Sequence, residues 1–133
     1  MAVFYSKVER GNPLKPHEPK KWYAVLKRVT MVKEKEIAKQ IADETTINRK
    51  EAEMALAQFE KILLRELMNG NSVQLGDWGS FHLSCNSKGY DKKEEVGGEC
   101  IKKLNIRFTP GKDLKEGIKK ATFKDAETLV SSK

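Results

Sequence analysis

Val73-Gln74-Leu75-Gly76-Asp77-Trp78-Gly79-Ser80-Phe81 is the stretch on which the reading of this chain turns. Up to it the apolar residues recur at helical spacing, and from it onward they recur at every second position. Val73 and Leu75, then Phe81, Leu83 and Cys85, then Leu104, Ile106 and Phe108 alternate with polar residues, the pattern of half-buried strands. Gly76-Asp77-Trp78-Gly79 between the first two strands is a tight turn, because its glycines reach backbone conformations closed to other residues.

Upstream, Asn48 stands three positions before Glu51, the spacing of a capping box that satisfies free backbone donors at a helix start. The helix that follows carries Ala52, Ala55, Leu56, Phe59, Ile62, Leu63 and Leu67, and Gly70 suits its left-handed stop. Ile62, Leu63 and Leu64 widen its apolar face beyond what one short helix can cover, so a second subunit is expected to cover the rest. That short helix is predicted over Lys33 to Thr45, with Ile37, Ala38, Ile41 and Ala42 on one face. Downstream, Thr109-Pro110-Gly111 ends the last strand. A third helix is predicted from Lys112 to Ala121, with Leu114, Ile118 and Ala121 inward and Gly117 weakening it. Phe123 to Lys133 reads as a loosely held tail.

The N-terminal segment has a different texture. Gly11, Pro13, Pro16 and Pro19 forbid a regular element from Gly11 to Lys20. Val3 to Glu9 and Trp22 to Val32 on either side are rich in aromatic and β-branched residues and read as two strands of an extra ribbon. The alternative is a basic arm that orders only on a partner. Residues 1–32 hold seven basic and two acidic side chains, most of the +7 surplus of the whole 133-residue chain. With a pI near 9.4 the charge favours anionic partners such as nucleic acid or acidic membrane surfaces. The expected division is residues 1–32 as a basic extension, 33–122 as one independent domain and 123–133 as the tail; a second full domain does not fit the length.

No secretory leader or apolar run of membrane-spanning length is read, which points to the cytoplasm and to no membrane partner. Cys85 and Cys100 lack metal-site spacing, and read as buried or half-buried free thiols. His17 and His82 belong to no triad or ligand pattern, and the glycine-rich turn lacks a P-loop lysine. Neither an enzyme, a cofactor, a metal nor a small-molecule substrate is expected.

Two helices, a three-stranded antiparallel sheet and a C-terminal helix, an α+β order, resemble the HU/IHF superfamily of histone-like DNA-binding proteins. Two stretches carry the resemblance: Val73 to Phe81, similar to the family's glycine-aromatic-glycine turn, and Phe108-Thr109-Pro110-Gly111-Lys112-Asp113-Leu114-Lys115, similar to its Pro-Gly-Lys segment. The resemblance covers about residues 33–122, and the N-terminal ribbon resembles an HU-related variant common in Bacteroidetes. It implies an intertwined homodimer, a sheet saddle and two arms that embrace double-stranded DNA in the minor groove, with a proline near each arm tip to kink it.

Under that resemblance Gly79, Ser80, Lys88, Lys92, Lys102, Lys103, Arg107, Lys112 and Lys115 are the candidate DNA contacts, with Lys20, Lys21, Lys27 and Arg28 as a further strip. Leu56, Phe59, Leu63, Trp78, Phe81 and Phe108 are the candidate dimer or core contacts. The function implied is nucleoid-associated DNA binding through phosphate contacts with little sequence specificity. The chain departs from the pattern between Ser87 and Lys103: that segment holds no proline, and Asp91, Glu94, Glu95 and Glu99 dilute its lysines. Asp91 and Glu94 have capping spacing, so a helical turn over Lys92 to Val96 is predicted in place of a long arm. Thr109 stands where the family has a basic residue. These departures support the alternative function, a protein-interaction module that kept the fold and lost strong DNA bending.

Overall fold

The computed structural model describes residues 2–131. Its elements in order are β1 (Val3–Arg10), β2 (Lys21–Lys27), α1 (Glu34–Glu44), α2 (Arg49–Met68), β3 (Val73–Leu75), β4 (Gly79–Ser87), β5 (Ile101–Pro110), α3 (Lys112–Ile118), β6 (Phe123–Asp125) and α4 (Glu127–Ser131). Where one domain was expected they form two compact units. One comprises residues 33–116, the other residues up to 32 together with those from 117 onward.

In the central unit the helix ends follow from their caps. Asn48 Oδ1 accepts the Glu51 backbone N–H at 2.9 Å, while its Nδ2 donates to Glu51 Oε1 at 2.7 Å. The expected box is therefore closed side chain to side chain on its return leg. Past Met68, Gly70 at φ 85° lets its own N–H reach the Leu67 carbonyl and that of Asn71 the Glu66 carbonyl, each at 3.0 Å. This is the Schellman stop, and it satisfies carbonyls the helix leaves open.

The sheet of this unit runs β3-β4-β5, antiparallel throughout. Val73 pairs with Phe81, Phe81 with Phe108, Leu83 with Ile106 and Cys85 with Leu104, so the predicted alternation puts all of them on one face. On that face the rings of Phe81 and Phe108 lie 4.9 Å apart, and Trp78 reaches Phe108 at 6.3 Å. Cys85 is exposed here, against the expectation of burial, while Cys100 is buried.

Only Ala38, Ala52, Leu67 and Cys100 are buried apolar residues in this unit. Leu56, Phe59 and Leu63 of α2 are half-buried, and Ile106 remains 61 % exposed. Met54, Ile62, Leu64 and Met68 of α2 and Leu104 and Ile106 of β5 stand exposed, so a large apolar surface is left without cover.

The second unit is a sheet of order β2-β1-β6. β2 stops at Lys27, short of the predicted Val32, because Lys27 already pairs with Phe4 near the start of its partner strand. The tail expected to be loose is structured from Phe123 to Ser131, and the remainder of that reading lies outside the described residues. β6 pairs parallel to β1, Ala126 N–H donates to the Tyr5 carbonyl at 2.7 Å and Ala126 is buried. Lys7 Nζ lies 3.4 Å from Asp125 Oδ2. The Glu127 backbone N–H, aided by Lys7, holds the Asp125 carboxyl below its ordinary range.

The third helix ends at Ile118, three residues before the predicted Ala121, with Gly117 in its last turn. A Cβ at Gly117 would meet nothing within 4 Å. Gly117→Ala is therefore expected to raise stability by about 0.5–1 kcal/mol, read as a higher urea midpoint. A lower midpoint would contradict the helical placement.

Candidate nucleic-acid interface

Opposite the apolar face, the β3-β4-β5 sheet presents Gln74, Ser80, His82, Ser84 and Asn86 beside Lys103, Asn105, Arg107 and Thr109. The register pairs Ser80 with Thr109, His82 with Arg107, Ser84 with Asn105 and Asn86 with Lys103. The face carries two cations, hydroxyls, amides and an imidazole, and no carboxylate. Arg107 Nε donates to Ser84 Oγ at 3.3 Å, which steadies the guanidinium without neutralising it. Neither Arg107 nor Lys103 has an ion pair among the described residues.

At one end of this face the two sequence stretches that carried the resemblance interlock. The Gly111 N–H donates to the Trp78 carbonyl at 2.9 Å, and Gly79 pairs with Pro110. A Cβ on Gly111 would run into the Asp77 carbonyl, and one on Gly79 would lie 2.5 Å from the Phe108 ring. Both positions need hydrogen for a side chain because two backbones meet there. The interlock sets Ser80 on the polar face and starts α3, with Lys112 as its first residue and Lys115 in its last turn, directly after the strand.

The sequence-predicted residues thus separate. Ser80, Lys103 and Arg107 share one face, and Gly79 shapes the turn beside them. Lys102 falls at an irregularity of the β4-β5 ladder between Asn86 and Ser87, where Ser87 pairs with Ile101, so it stands outside the paired register. Lys88 and Lys92 lie in the connection between β4 and β5, among its four carboxylates. Lys21 and Lys27 are on β2, Lys20 precedes that strand and Arg28 follows it. The other members of the face, among them His82, Ser84 and Asn105, were missed. Their signal was the alternation itself, which assigns them to the side opposite Leu83 and Ile106.

The β4-β5 connection is compact. One 3₁₀ turn spans Lys93–Glu95, at the predicted helical turn, and a second spans Gly98–Cys100. The predicted Asp91 cap does not form: Lys92 occupies the cap position and makes no side-chain bond there. What ties the segment is Cys100, whose Sγ accepts from the Gly97 N–H and faces the Glu95 carbonyl, each at 3.5 Å. Its hydrogen bond with Tyr90, aided by partial desolvation, raises the Tyr90 hydroxyl above its ordinary value.

Residues 1–125 match the family model HU-HIG, an HU domain fused to a wHTH, Ig or glycine-rich motif. The chain belongs to this family. It is thereby a member of the HU/IHF superfamily of DNA-binding proteins, and the HU-HIG match takes in the N-terminal ribbon as well as the helices and the β3-β4-β5 sheet. Integration host factor subunit alpha of Stenotrophomonas maltophilia (strain K279a) is 28% identical over 85 residues, covering 62% of this chain and 86% of that protein. The subunit from Xanthomonas campestris pv. campestris (strain B100) matches to the same extent. A crystal structure from Bacteroides vulgatus ATCC 8482, described as a candidate bacterial DNA-binding protein, superposes with a TM-score of 0.69 at 15% identity. It covers 94% of this chain, which spans 48% of that longer one, and the likeness is one of fold. Among the described residues no helix is long and apolar enough to cross a membrane.

Proposed function

We propose that this HU-HIG chain is a non-catalytic, histone-like protein of the nucleoid. It works as a homodimer that grips duplex DNA through phosphate contacts and discriminates little between sequences. The observation that carries this reading is the carboxylate-free polar face, with Lys103 and Arg107 standing in register among hydroxyl and amide donors. Such a face offers charge and hydrogen bonds to a polyanion, and contacts made to phosphates carry no sequence information directly. Ser80, Lys112 and Lys115 extend it at the interlocked turn. Lys88, Lys92 and Lys102 extend it at the far end.

The homologous fold and the large uncovered apolar surface support the dimer. A two-chain body aligns two polar faces, which doubles the cations presented to one duplex.

The compact connection favours weak bending. It holds no proline and four carboxylates, so an apolar wedge between base pairs is not part of this grip. If the interaction-module reading were the better one, duplex binding would be absent even at low salt.

A salt titration followed by fluorescence anisotropy tests the proposal. Affinity should fall with a log-log slope of roughly −0.9 for each phosphate neutralised, and unrelated duplexes should give the same curve. Lys103→Gln with Arg107→Gln is expected to flatten the slope by about 1.8 per protomer if each cation neutralises one phosphate. An unchanged slope would overturn the assignment of this face.

A further inference from the structure

The two faces of the β2-β1-β6 sheet differ sharply in charge. Cross-strand pairing puts Phe4 beside Lys27 and Lys124, Ser6 beside Val25, Val8 beside Tyr23, and Arg10 beside Lys21, all on one face. That face bears four cations, Arg10, Lys21, Lys27 and Lys124, and no strand carboxylate. The other face receives both carboxylates of the strands, Asp125 in its ion pair with Lys7 and Glu9 opposite Trp22, together with Leu26 and Phe123.

The four cations have no ion pair among the described residues. At the loop end of the sheet Arg10, Lys21 and Tyr23 join Asn12, Glu18 and Pro19 around a pocket of about 90 Å³. Glu18 is occupied there by Lys15 at 3.5 Å, so the pocket keeps its positive sign. At the other end Glu127 borders the cleft beside Lys27, the one carboxylate of α4 near the strip.

We propose that this basic face is a second binding strip for the sugar-phosphate backbone of duplex DNA, separate from the polar face of the β3-β4-β5 sheet. The inference rests on the DNA-binding reading above and adds a site to it. From Lys21 to Lys27 the strand runs roughly 20 Å at about 3.3 Å per residue. Phosphates of one duplex strand are spaced about 3.4 Å along the helix axis and further apart along the winding strand itself, so a few of them face a strip of that length. Cations at both ends, Arg10 and Lys21 at one and Lys27 and Lys124 at the other, meet a backbone laid along β2. Half-exposed Tyr23 between them offers a hydroxyl donor. The register adds Arg10 and Lys124 to Lys21 and Lys27 and leaves Lys20 and Arg28 beyond the ends of the strand.

The test uses the full chain in three variants. The sheet variant carries Arg10→Gln, Lys21→Gln, Lys27→Gln and Lys124→Gln. A charge-matched control carries Lys35→Gln, Lys39→Gln, Lys50→Gln and Lys61→Gln on the helices, and the third is the Lys103→Gln, Arg107→Gln variant. In salt titrations on duplex DNA the sheet variant should flatten the log-log slope by up to about 3.6 per protomer, roughly 0.9 for each phosphate it no longer neutralises, while the control stays near wild type. If the sheet variant behaves as the control does, this strip is not a DNA site, and a loss confined to the Lys103 and Arg107 variant leaves the DNA-binding reading standing. If the sheet variant keeps its DNA slope but loses binding to phosphatidylserine vesicles, the strip serves a membrane surface and the proposal is wrong. Failure of the wild type to bind duplex at low salt would overturn both.

Discussion

Replacing Gly79 by Ala is expected to lower stability by about 2–5 kcal/mol. Two costs combine. Gly79 sits at φ 155°, a conformation an L side chain adopts only under strain of about 1–3 kcal/mol. Its new Cβ would also meet the Phe108 ring at 2.5 Å and the Thr109 carbonyl at 2.8 Å, and overpacking of this kind costs roughly 1–3 kcal/mol. Moving the ring aside would break its tilted contacts with Phe81 and Trp78. Gly76→Ala is the informative comparison. Gly76 has φ 55° and open space around its Cβ position, so only the backbone term of about 1–2 kcal/mol applies. Urea midpoints measured at one protein concentration should therefore fall in the order wild type, Gly76→Ala, Gly79→Ala. Equal midpoints for the two variants would mean that the turn and β5 are not in contact.

The second large effect concerns the apolar surface that one chain leaves uncovered. If a second copy covers it, folding and association are one equilibrium, and each tenfold rise in protein concentration adds about 1.4 kcal/mol of apparent stability. Wild-type urea midpoints should climb accordingly. Leu63→Asp should abolish the climb and the cooperative transition with it. Leu63 is half-buried within its own chain, and completing its burial against a partner is worth a share of the roughly 1.5–3 kcal/mol of a fully buried leucine. A carboxylate there must be desolvated without a partner, at a cost of several kcal/mol in each protomer. Sedimentation of the wild type as a monomer at micromolar concentration, with midpoints independent of dilution, would remove the dimer from the proposal.

Much of this architecture was legible from local chemistry. Asn48 and Gly70 marked the ends of α2 because caps are chemical requirements of a helix end, and period-two alternation sorted Phe81, Leu83, Ile106 and Phe108 onto one face. The interlock of Gly79 with Gly111 was not read from the sequence, because the two glycines lie in separate stretches and only strand pairing brings them together. Three further features escaped. β6 is three residues long, too short for an alternation to show, and its existence depends on β1, which lies at the far end of the sequence. Lys102 was placed with Lys103 because a ladder irregularity leaves no mark on the hydrophobic pattern. The cations Arg10 and Lys124 were invisible as partners of Lys21 and Lys27 until the register of the N-terminal sheet was known. In each case the missing information was which strand pairs with which, a long-range property that spacing along the chain does not encode.

That same pairing of β1 with β6 sets the order in which a nascent molecule matures. The ribosome delivers β1 and β2 first, yet the sheet they belong to waits for residues 28–122 to be translated, on the order of ten seconds at ordinary elongation rates. Residues 33–116 all emerge before β6 does, so the N-terminal sheet is the last element to be completed. A stalled or truncated product therefore carries an incomplete ribbon, which makes it a visible substrate for chaperones and proteases.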